Sequence, residues 1–399
     1  MTDAEAAGRI CPACGRDAPE GAFCAHCGAD LSASGNHWAH LLRPKAFAVS
    51  SREPLGLPLF TSSLFPHLPE SLRWPFRHGL FLVLAALLVF SMLEWLAPLI
   101  VVTILGVPLL FGLYVWQSGV FRDVSRRVLL LAVALGAGIS AVWWLWTGSL
   151  LARNYDIPIA AASQLMHELA FGLTITLAGL VLMLLPVVLV KLVRSRVTES
   201  LDGFVIGAAC ALSYSAAGTA VWLLPQFTLG LIDNYNRWLL LEEAYLYGFV
   251  EPVTAAVAGG LLGLLLWFRP ATGAPAGGRR ARATLAALTV LGIALYIGIY
   301  LVDAAETARL TEIVANTVLT ALSLLALRAA VQVVLLSEET SEGTGLPVVC
   351  EDCERTVPDR PFCPGCGAAA RATSRTTRAR RFEAHRDGES SGLTAERAS

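Results

Sequence analysis

Long apolar runs between residues 79 and 336 constrain this chain more than any other feature. A helix that crosses a bilayer needs about 20 predominantly apolar residues, and the runs predict eight such helices. The predicted spans are 79–116, divided in two at Pro98, then 127–147, 168–191, 201–225, 247–268, 283–302 and 312–336. Only 15% of the residues are charged and the mean hydropathy is +0.60, which leaves too little polar surface for an ordinary water-soluble protein. The sequence therefore predicts an all-α polytopic membrane protein.

Basic residues in the predicted short loops favour one orientation in the membrane. If the N-terminus is cytoplasmic, the inner loops hold ten basic residues, namely Arg122, Arg126, Arg127, Lys191, Arg194, Arg196, Arg269, Arg279, Arg280 and Arg282. The outer loops then hold three, Arg153, Arg237 and Arg309. Cytoplasmic loops carry the excess of Lys and Arg in membrane proteins, and an even number of spans returns the chain to its starting side. We therefore expect a multi-pass protein of the cytoplasmic membrane with both termini in the cytoplasm.

Eight of the nine cysteines form two groups with the same spacing. The first group lies in CPACGRDAPEGAFCAHCG, residues 11–28, and the second in CEDCERTVPDRPFCPGCG, residues 350–367. Aligning residues 10–28 with 349–367 gives eight identities, four of which are cysteines. Two Cys-x-x-Cys turns present four thiolates to a tetrahedral zinc ion. The predicted metal ligands are Cys11, Cys14, Cys24, Cys27, Cys350, Cys353, Cys363 and Cys366.

Both cysteine groups resemble members of the zinc-ribbon family, which implies two structural zinc ions. Disulfides are not expected on a reducing cytoplasmic face, and redox catalysis would need a thioredoxin-like context that units of about 20 residues do not supply. A closed four-thiolate site has no open position for substrate, so these metals are expected to stabilise the fold only. Gly15, Gly28 and Gly367 follow their turns, whereas Glu354 departs from that pattern.

The chain divides into six predicted segments: a zinc ribbon (1–30), a juxtamembrane segment (31–77), a transmembrane domain (78–336), a linker (337–348), a second zinc ribbon (349–368) and a disordered Arg-rich tail (369–399). The expected partners are the lipid bilayer and a protein that contacts the ribbons. Nucleic acid is not expected, because residues 1–30 hold only Arg9 and Arg16 as basic residues. His26 is expected at the surface and Cys210 within a membrane helix.

Three stretches of the transmembrane domain resemble PrsW-type intramembrane metalloproteases. They are LGVPLLFGLYVWQSGVFRDVSRRVLLLAVALGAG (105–138), TESLDGFVIGAACALSYSAAG (198–218) and EPVTAAVAGGLLG (251–263). In the second stretch Asp202, Gly203 and Gly207 match the family's Asp-Gly-x-x-x-Gly segment. The resemblance implies a PrsW-like helical scaffold and, where the family's motifs are complete, metal-dependent proteolysis within the membrane.

The chain departs from that family at the residues that would carry the chemistry. The family's Glu-Glu pair is replaced by valines at 187–188, although the Lys that follows is kept as Lys191. The family's Phe-x-x-x-Glu becomes Tyr214 and Gly218, and the His near the later helix has only Glu251 as its best match. Without these groups, no ligand set remains to bind a catalytic zinc and activate its water. We therefore expect no catalytic residue here.

Two hypotheses follow, and a third is weaker. The first is a non-catalytic regulatory or binding module with cytoplasmic zinc ribbons. The alternative is an active PrsW-family protease with unusual ligands, such as His167, Glu168, Glu251 or Asp303. A transporter of apolar cargo is the third. These acidic residues and the histidine are expected to be interfacial anchors, because they map near the predicted outer ends of spans.

Two Gly-x-x-x-Gly pairs, at residues 203–207 and 259–263, predict that their helices approach closely. Small residues at this spacing let two membrane helices bring their backbones together. We expect packing to be the role of these glycines.

Overall fold

The computed structural model describes residues 9–12, 15–18, 21–26, 31, 70–117, 124–154, 164–193, 199–229, 237–270, 275–305, 308–337, 347–350, 353–358, 360 and 362–367. Residues 32–69, 338–346 and 368–399 lie outside this set. Most of the predicted juxtamembrane segment and linker, and the whole predicted Arg-rich tail, therefore fall outside the described residues.

The described membrane region is entirely helical. Its helices are α1 Glu70–Met92, α2 Leu96–Gln117, α3 Arg126–Asn154, α4 Gln164–Val193, α5 Ser200–Leu229, α6 Arg237–Tyr245, α7 Glu251–Trp267, α8 Pro275–Ala304 and α9 Arg309–Ser337. A π-helical segment, Leu246–Val250, joins α6 directly to α7. These three pieces make one span, so eight helices are long and apolar enough to cross a membrane. The chain is an all-α multi-pass membrane protein, as the apolar runs predicted.

Three helix boundaries differ from the sequence-based expectation. Helix α1 begins at Glu70, inside the segment predicted to be juxtamembrane. The break between α1 and α2 lies at residues 93–95, where Glu94 adopts a left-handed backbone with φ +56°. Pro98 instead lies in the first turn of α2, where proline is tolerated because its missing N–H has no helical partner. The sixth span begins at Arg237 and not at 247.

Helices α5 and α7 form the centre of the bundle. In the membrane-spanning windows 72% of α5 and 67% of the α6–α7 span are buried, against at most 33% for any other span. The two helices are held together by facing glycines. A Cβ atom on Gly203 would lie 2.7 Å from the carbonyl oxygen of Gly263, and Gly207 meets Gly259 more closely still. The predicted close approach of these two Gly-x-x-x-Gly segments is confirmed.

The outer helices present apolar side chains on the bundle surface. Phe81 on α1 is 74% exposed, and Leu130 and Val142 on α3 are 68% and 69% exposed. Such a surface would be costly in water but matches the hydrocarbon of a bilayer.

Two short hairpins precede and follow the bundle in the chain. The N-terminal hairpin pairs β1 (Arg9–Ile10) with β2 (Asp17–Ala18), and the C-terminal hairpin pairs β3 (Pro347–Val349) with β4 (Thr356–Pro358), both antiparallel. Each buries only a few side chains around its cysteines, among them Phe23 in the first hairpin and Phe362 in the second. Cores of this size do not hold a fold together without a staple or a metal.

The two hairpins contact each other directly. The backbone N–H of Phe23 donates to the carbonyl of Pro364, and the N–H of Phe362 donates to the carbonyl of Ala25, both at 3.1 Å. Phe23 and Phe362 are equivalent positions, as are Ala25 and Pro364, since each pair is 339 residues apart in the alignment of the two units. The contact is therefore a pseudo-twofold pairing of two similar units, which we call the paired head.

Candidate functional site: a cysteine cluster and a buried carboxylate

Four cysteines of the C-terminal hairpin converge on one point. The ligand atoms of Cys350, Cys353, Cys363 and Cys366 all lie within 4.8 Å of one another. The Sγ atoms of Cys350 and Cys366 are 3.7 Å apart, and those of Cys353 and Cys363 are 3.8 Å apart. The adjacent thiol of Cys350 raises the pKa of Cys363 to about 11. A bound cation would relieve this crowding by replacing the thiol protons, so the cluster could hold a metal ion.

The first cysteine turn has the same backbone geometry in both hairpins. The N–H of Gly15 donates to the carbonyl of Cys11 at 2.8 Å, and the N–H of Glu354 donates to that of Cys350 at 2.7 Å. Gly15 has φ +70° and Glu354 has φ +53°. A glutamate thus adopts the left-handed conformation that glycine adopts without steric cost.

Two of the four predicted metal ligands in the N-terminal hairpin lie among the described residues. Cys11 and Cys24 are fully buried, whereas Cys14 and Cys27 lie outside the described residues. His26 is half-buried in the same hairpin. Burial lowers the pKa of His26, and the nearby charges of Arg16 and Arg360 lower it further. Arg360 belongs to the other hairpin, so this effect is a second sign of the pairing.

A second polar site surrounds Glu251, a residue that was predicted to lie near the outer end of its span. This residue is only 6% exposed and lies 14 residues after Arg237 and 16 before Trp267 within one continuous span. At about 1.5 Å per residue, these ends are about 21 and 24 Å away. Glu251 is therefore an interior residue of the bundle, and its expected role as an interfacial anchor is wrong.

Pro252 shapes the local backbone. In the structure the proline lies inside the span, where it cannot donate to the carbonyl of Gly248. The backbone responds with the π-helical segment, in which the N–H of Glu251 reaches the carbonyl of Leu246. π-segments are frequent at functional sites.

Three hydroxyl groups surround the Glu251 carboxylate. Ser215 on α5 donates a short hydrogen bond to Oε2. The hydroxyls of Tyr296 and Tyr300 on α8 lie 3.2 and 3.4 Å from Oε1 and 2.9 Å from each other. Each hydroxyl carries one proton, so one tyrosine donates to the carboxylate while the other donates to its neighbour. The site thus supplies two donors to a carboxylate at the centre of the bundle.

A cavity of about 110 Å³ opens beside this carboxylate. Its wall contains three tryptophans, Trp143, Trp144 and Trp222. Tyr214 and Tyr247 join the two tyrosines already described. None of the described residues that line the cavity is basic.

Two polar atoms in the cavity wall lack a partner. The hydroxyl of Tyr214 and the indole Nε1 of Trp143 are buried and make no hydrogen bond with any described residue. Tyr214 is only 4% exposed. A Cβ atom on Gly179 would lie 3.4 Å from both atoms, so this glycine leaves open the space toward which they point. Buried polar groups nearly always make a hydrogen bond, so a ligand that forms hydrogen bonds with these two atoms would be favoured here.

Two positions at which the chain departs from the resembled family lie in different surroundings. Val187 is fully buried in an apolar cluster with Ile206 and Trp267, and Lys191 Nζ lies 4.6 Å from the centre of the Trp267 ring. Gly218, by contrast, lines the Glu251 cavity. Val187 is therefore part of apolar packing, whereas Gly218 lies in the same cavity wall as the Glu251 carboxylate.

The remaining candidate ligands are not brought together in the described part of the chain. The cysteine cluster at 350–366 is the sole group there of three or more His, Cys, Asp or Glu residues close enough to share an ion. Asp303 and Glu251 form no such group. The side chains of His167 and Glu168 lie outside the described residues.

No family model matches the chain, and neither a curated protein nor a solved structure matches it. The resemblance to PrsW-type proteases therefore depends on the residues quoted above and stays a prediction. The function must be argued from the geometry of the paired head and of the Glu251 cavity.

Proposed function

We propose that this chain is a non-catalytic regulatory or binding module of the cytoplasmic membrane, in which two zinc ribbons form one cytoplasmic head on a PrsW-like helical scaffold. The paired head carries this proposal. Two reciprocal backbone hydrogen bonds join its halves, so segments from opposite ends of the membrane domain form one compact surface. We assign that surface to a protein partner.

The geometry of the cysteine cluster supports zinc as the ion. Four thiolates about 2.3 Å from a tetrahedral zinc stand about 3.8 Å from each other. The two Sγ–Sγ distances of 3.7 and 3.8 Å agree with that spacing. The shared turn geometry of Gly15 and Glu354 supports a second, equivalent ion in the N-terminal hairpin.

The loop charges support the proposed orientation. The predicted inner loops hold ten Lys and Arg residues and the predicted outer loops three, and an excess of basic residues is typical of cytoplasmic loops. Two of the three outer arginines lie beside acidic side chains, with Arg237 Nε 3.8 Å from a carboxylate oxygen of Glu94 and Arg309 Nε 3.4 Å from one of Glu242.

The buried valine at 187 supports the absence of proteolytic chemistry. The family's acidic pair would place a carboxylate where Val187 packs against Ile206 and Trp267. An uncompensated charge in that apolar cluster would be costly, so these surroundings suit valine and not a carboxylate.

Metal analysis of the purified full-length protein tests the proposal. We expect two zinc ions per chain, and none after all eight ribbon cysteines are changed to serine. The matched control is Cys210→Ser, which alters the ninth cysteine and should keep both ions, because Cys210 is buried within α5. A third zinc ion, or one that persists in the eight-serine variant, would overturn the non-catalytic assignment and favour the alternative, an active intramembrane metalloprotease.

A further inference from the structure

We propose that the Glu251 cavity binds a small organic ammonium ion. The site combines a buried carboxylate, an aromatic wall and two unpaired polar atoms. It is independent of the paired head, and the cations it would accept are protonated amines of about three to five non-hydrogen atoms.

The charge of the site calls for a cation. Burial of Glu251 favours the neutral acid, whereas the hydroxyls that Ser215 and the Tyr296–Tyr300 pair donate to it favour the ionised form, which a bound cation would stabilise further. An ionised side chain in the middle of a membrane is costly unless an opposite charge accompanies it. No basic side chain among the described lining residues offsets this charge. A bound cation would offset it.

The wall of the cavity selects an organic cation over a metal ion. Tryptophan and tyrosine rings attract ammonium groups through their negative faces, most strongly when the site is desolvated. Trp222 and Tyr247 form one side of the cavity, with ring centroids 5.1 Å apart. On another side, Tyr296 and Tyr300 meet edge to face at 5.3 Å. Hard metal ions instead require six or more oxygen ligands, and this wall is mostly carbon.

The unpaired atoms define the polar contacts of the ligand. The hydroxyl oxygen of Tyr214 can accept a hydrogen bond from an ammonium N–H, which a quaternary ammonium lacks. The indole N–H of Trp143 can only donate, so it suits a ligand that also carries a hydroxyl. A cavity of about 150 Å³ accommodates benzene, so a cavity of about 110 Å³ suits ethylammonium or protonated ethanolamine.

The cavity lies toward the ends of α5 and α8. Tyr300 is four residues before the end of α8 at Ala304, and Trp222 lies in the second half of α5. Thr176 lies near the start of the α4 span, which precedes α5 in the chain. In the proposed orientation these helix ends lie at the outer face, so an amine would enter from that side.

Calorimetric titration of the full-length protein in detergent tests the inference. Ethylammonium chloride and ethanolamine hydrochloride are the ligands, and propanol, sodium acetate and sodium chloride are the matched controls. We expect saturable binding of both amines and none of the neutral, anionic or inorganic controls. Three of the ten tryptophans line the cavity, so a change in tryptophan emission should follow the same isotherm. Equal binding of sodium or propanol would overturn the proposal.

Two variants localise the binding. Glu251→Gln keeps the shape of the side chain and removes its charge, and it should weaken amine binding at least tenfold. Glu243→Gln removes a carboxylate from the same span outside the cavity and should leave the affinity unchanged. Tyr214→Phe removes a hydroxyl that has no described partner. It should weaken ethylammonium binding about threefold or more while leaving tetramethylammonium unaffected.

Tyr214→Phe also keeps the test decisive if Glu251→Gln does not fold. Wild-type affinity in a folded Glu251→Gln variant, or an identical loss for both cations in Tyr214→Phe, would overturn the assignment. An amine can also be presented on a lipid headgroup. Comparing nanodiscs of phosphatidylethanolamine with nanodiscs of phosphatidylcholine distinguishes that source, because only the former should compete with free ethylammonium. The zinc content would be unchanged in all these variants, so this inference and the proposed function fail separately.

Discussion

At the scale of single residues, Glu354 departs from the backbone conformation that is usual for a residue with a side chain. Glu354 adopts a left-handed backbone with φ +53° where the equivalent turn has Gly15. A non-glycine residue pays roughly 1–2 kcal/mol for this conformation. The substitution therefore makes the C-terminal cysteine turn the more strained of the two.

Replacing that glutamate should relieve the strain. Glu354→Gly is expected to stabilise the C-terminal hairpin by about 1 kcal/mol, since glycine adopts positive φ without steric cost but loses more freedom on folding. Zinc retention against increasing chelator concentration measures the effect on the full-length protein. The converse variant Gly15→Ala should weaken zinc retention by a similar amount. Equal retention in both variants and the wild type would contradict the strain argument.

The sequence identified some residues of the two sites and missed others. Cysteine spacing was sufficient to predict the cluster at 350–366, because a Cys-x-x-Cys turn positions its own ligands. Glu251 was misplaced because the apolar run predicted a span beginning at residue 247, ten residues after its start at Arg237. Tyr296 and Tyr300 are four residues apart on one helix face, a visible signal, but only the packing of α8 against α7 shows that this face meets a carboxylate.

At the scale of elements, the close packing of α5 against α7 depends on glycines, which have no side chain to keep the two backbones apart. The facing pairs Gly203–Gly263 and Gly207–Gly259 bring the backbones of α5 and α7 into contact. This contact holds Ser215 of α5 beside Glu251 of α7. The glycine spacing was readable from sequence, whereas the π-helical segment that aims Glu251 was not, since it results from a proline tolerated by the surrounding helices.

An added methyl group should separate these helices. Gly207→Ala would place a Cβ atom against the carbonyl of Gly259, and it should destabilise the bundle by about 1–3 kcal/mol, the usual cost of overpacking. Thermal unfolding in detergent measures this change. Gly138→Ala on α3 is the matched control, because its Cβ atom would meet nothing within 4 Å and alanine favours a helix. Equal midpoints for the two variants would show that the α5–α7 contact is not tight.

For the whole molecule, the paired head and the number of spans agree with each other. Eight spans return the chain to the side on which it began, and the two hairpins do meet through Phe23, Ala25, Phe362 and Pro364. Repeated spacing alone could not predict this meeting, because no local rule sets the distance between segments 339 residues apart. The even number of spans allows both hairpins to lie on the same side of the membrane. The two backbone hydrogen bonds between their edges make the contact specific.

Topology reporters provide the test at this scale. Fusions of a reporter active only in the cytoplasm to the N-terminus and to the C-terminus should both be active, because the inner loops carry most of the basic residues. A fusion after residue 154, between α3 and α4, is the control and should be inactive. An inactive C-terminal fusion beside an active N-terminal one would contradict both the eight-span topology and the paired head.

The paired head also has a consequence for biosynthesis. Ala25 leaves the ribosome 337 residues before its hydrogen-bond partner Phe362. At about 5–20 residues per second, the N-terminal hairpin waits roughly 17–70 s with its pairing edge open. The head closes only after the last membrane helix has been synthesised, so its closure marks a chain whose eight spans have all been made.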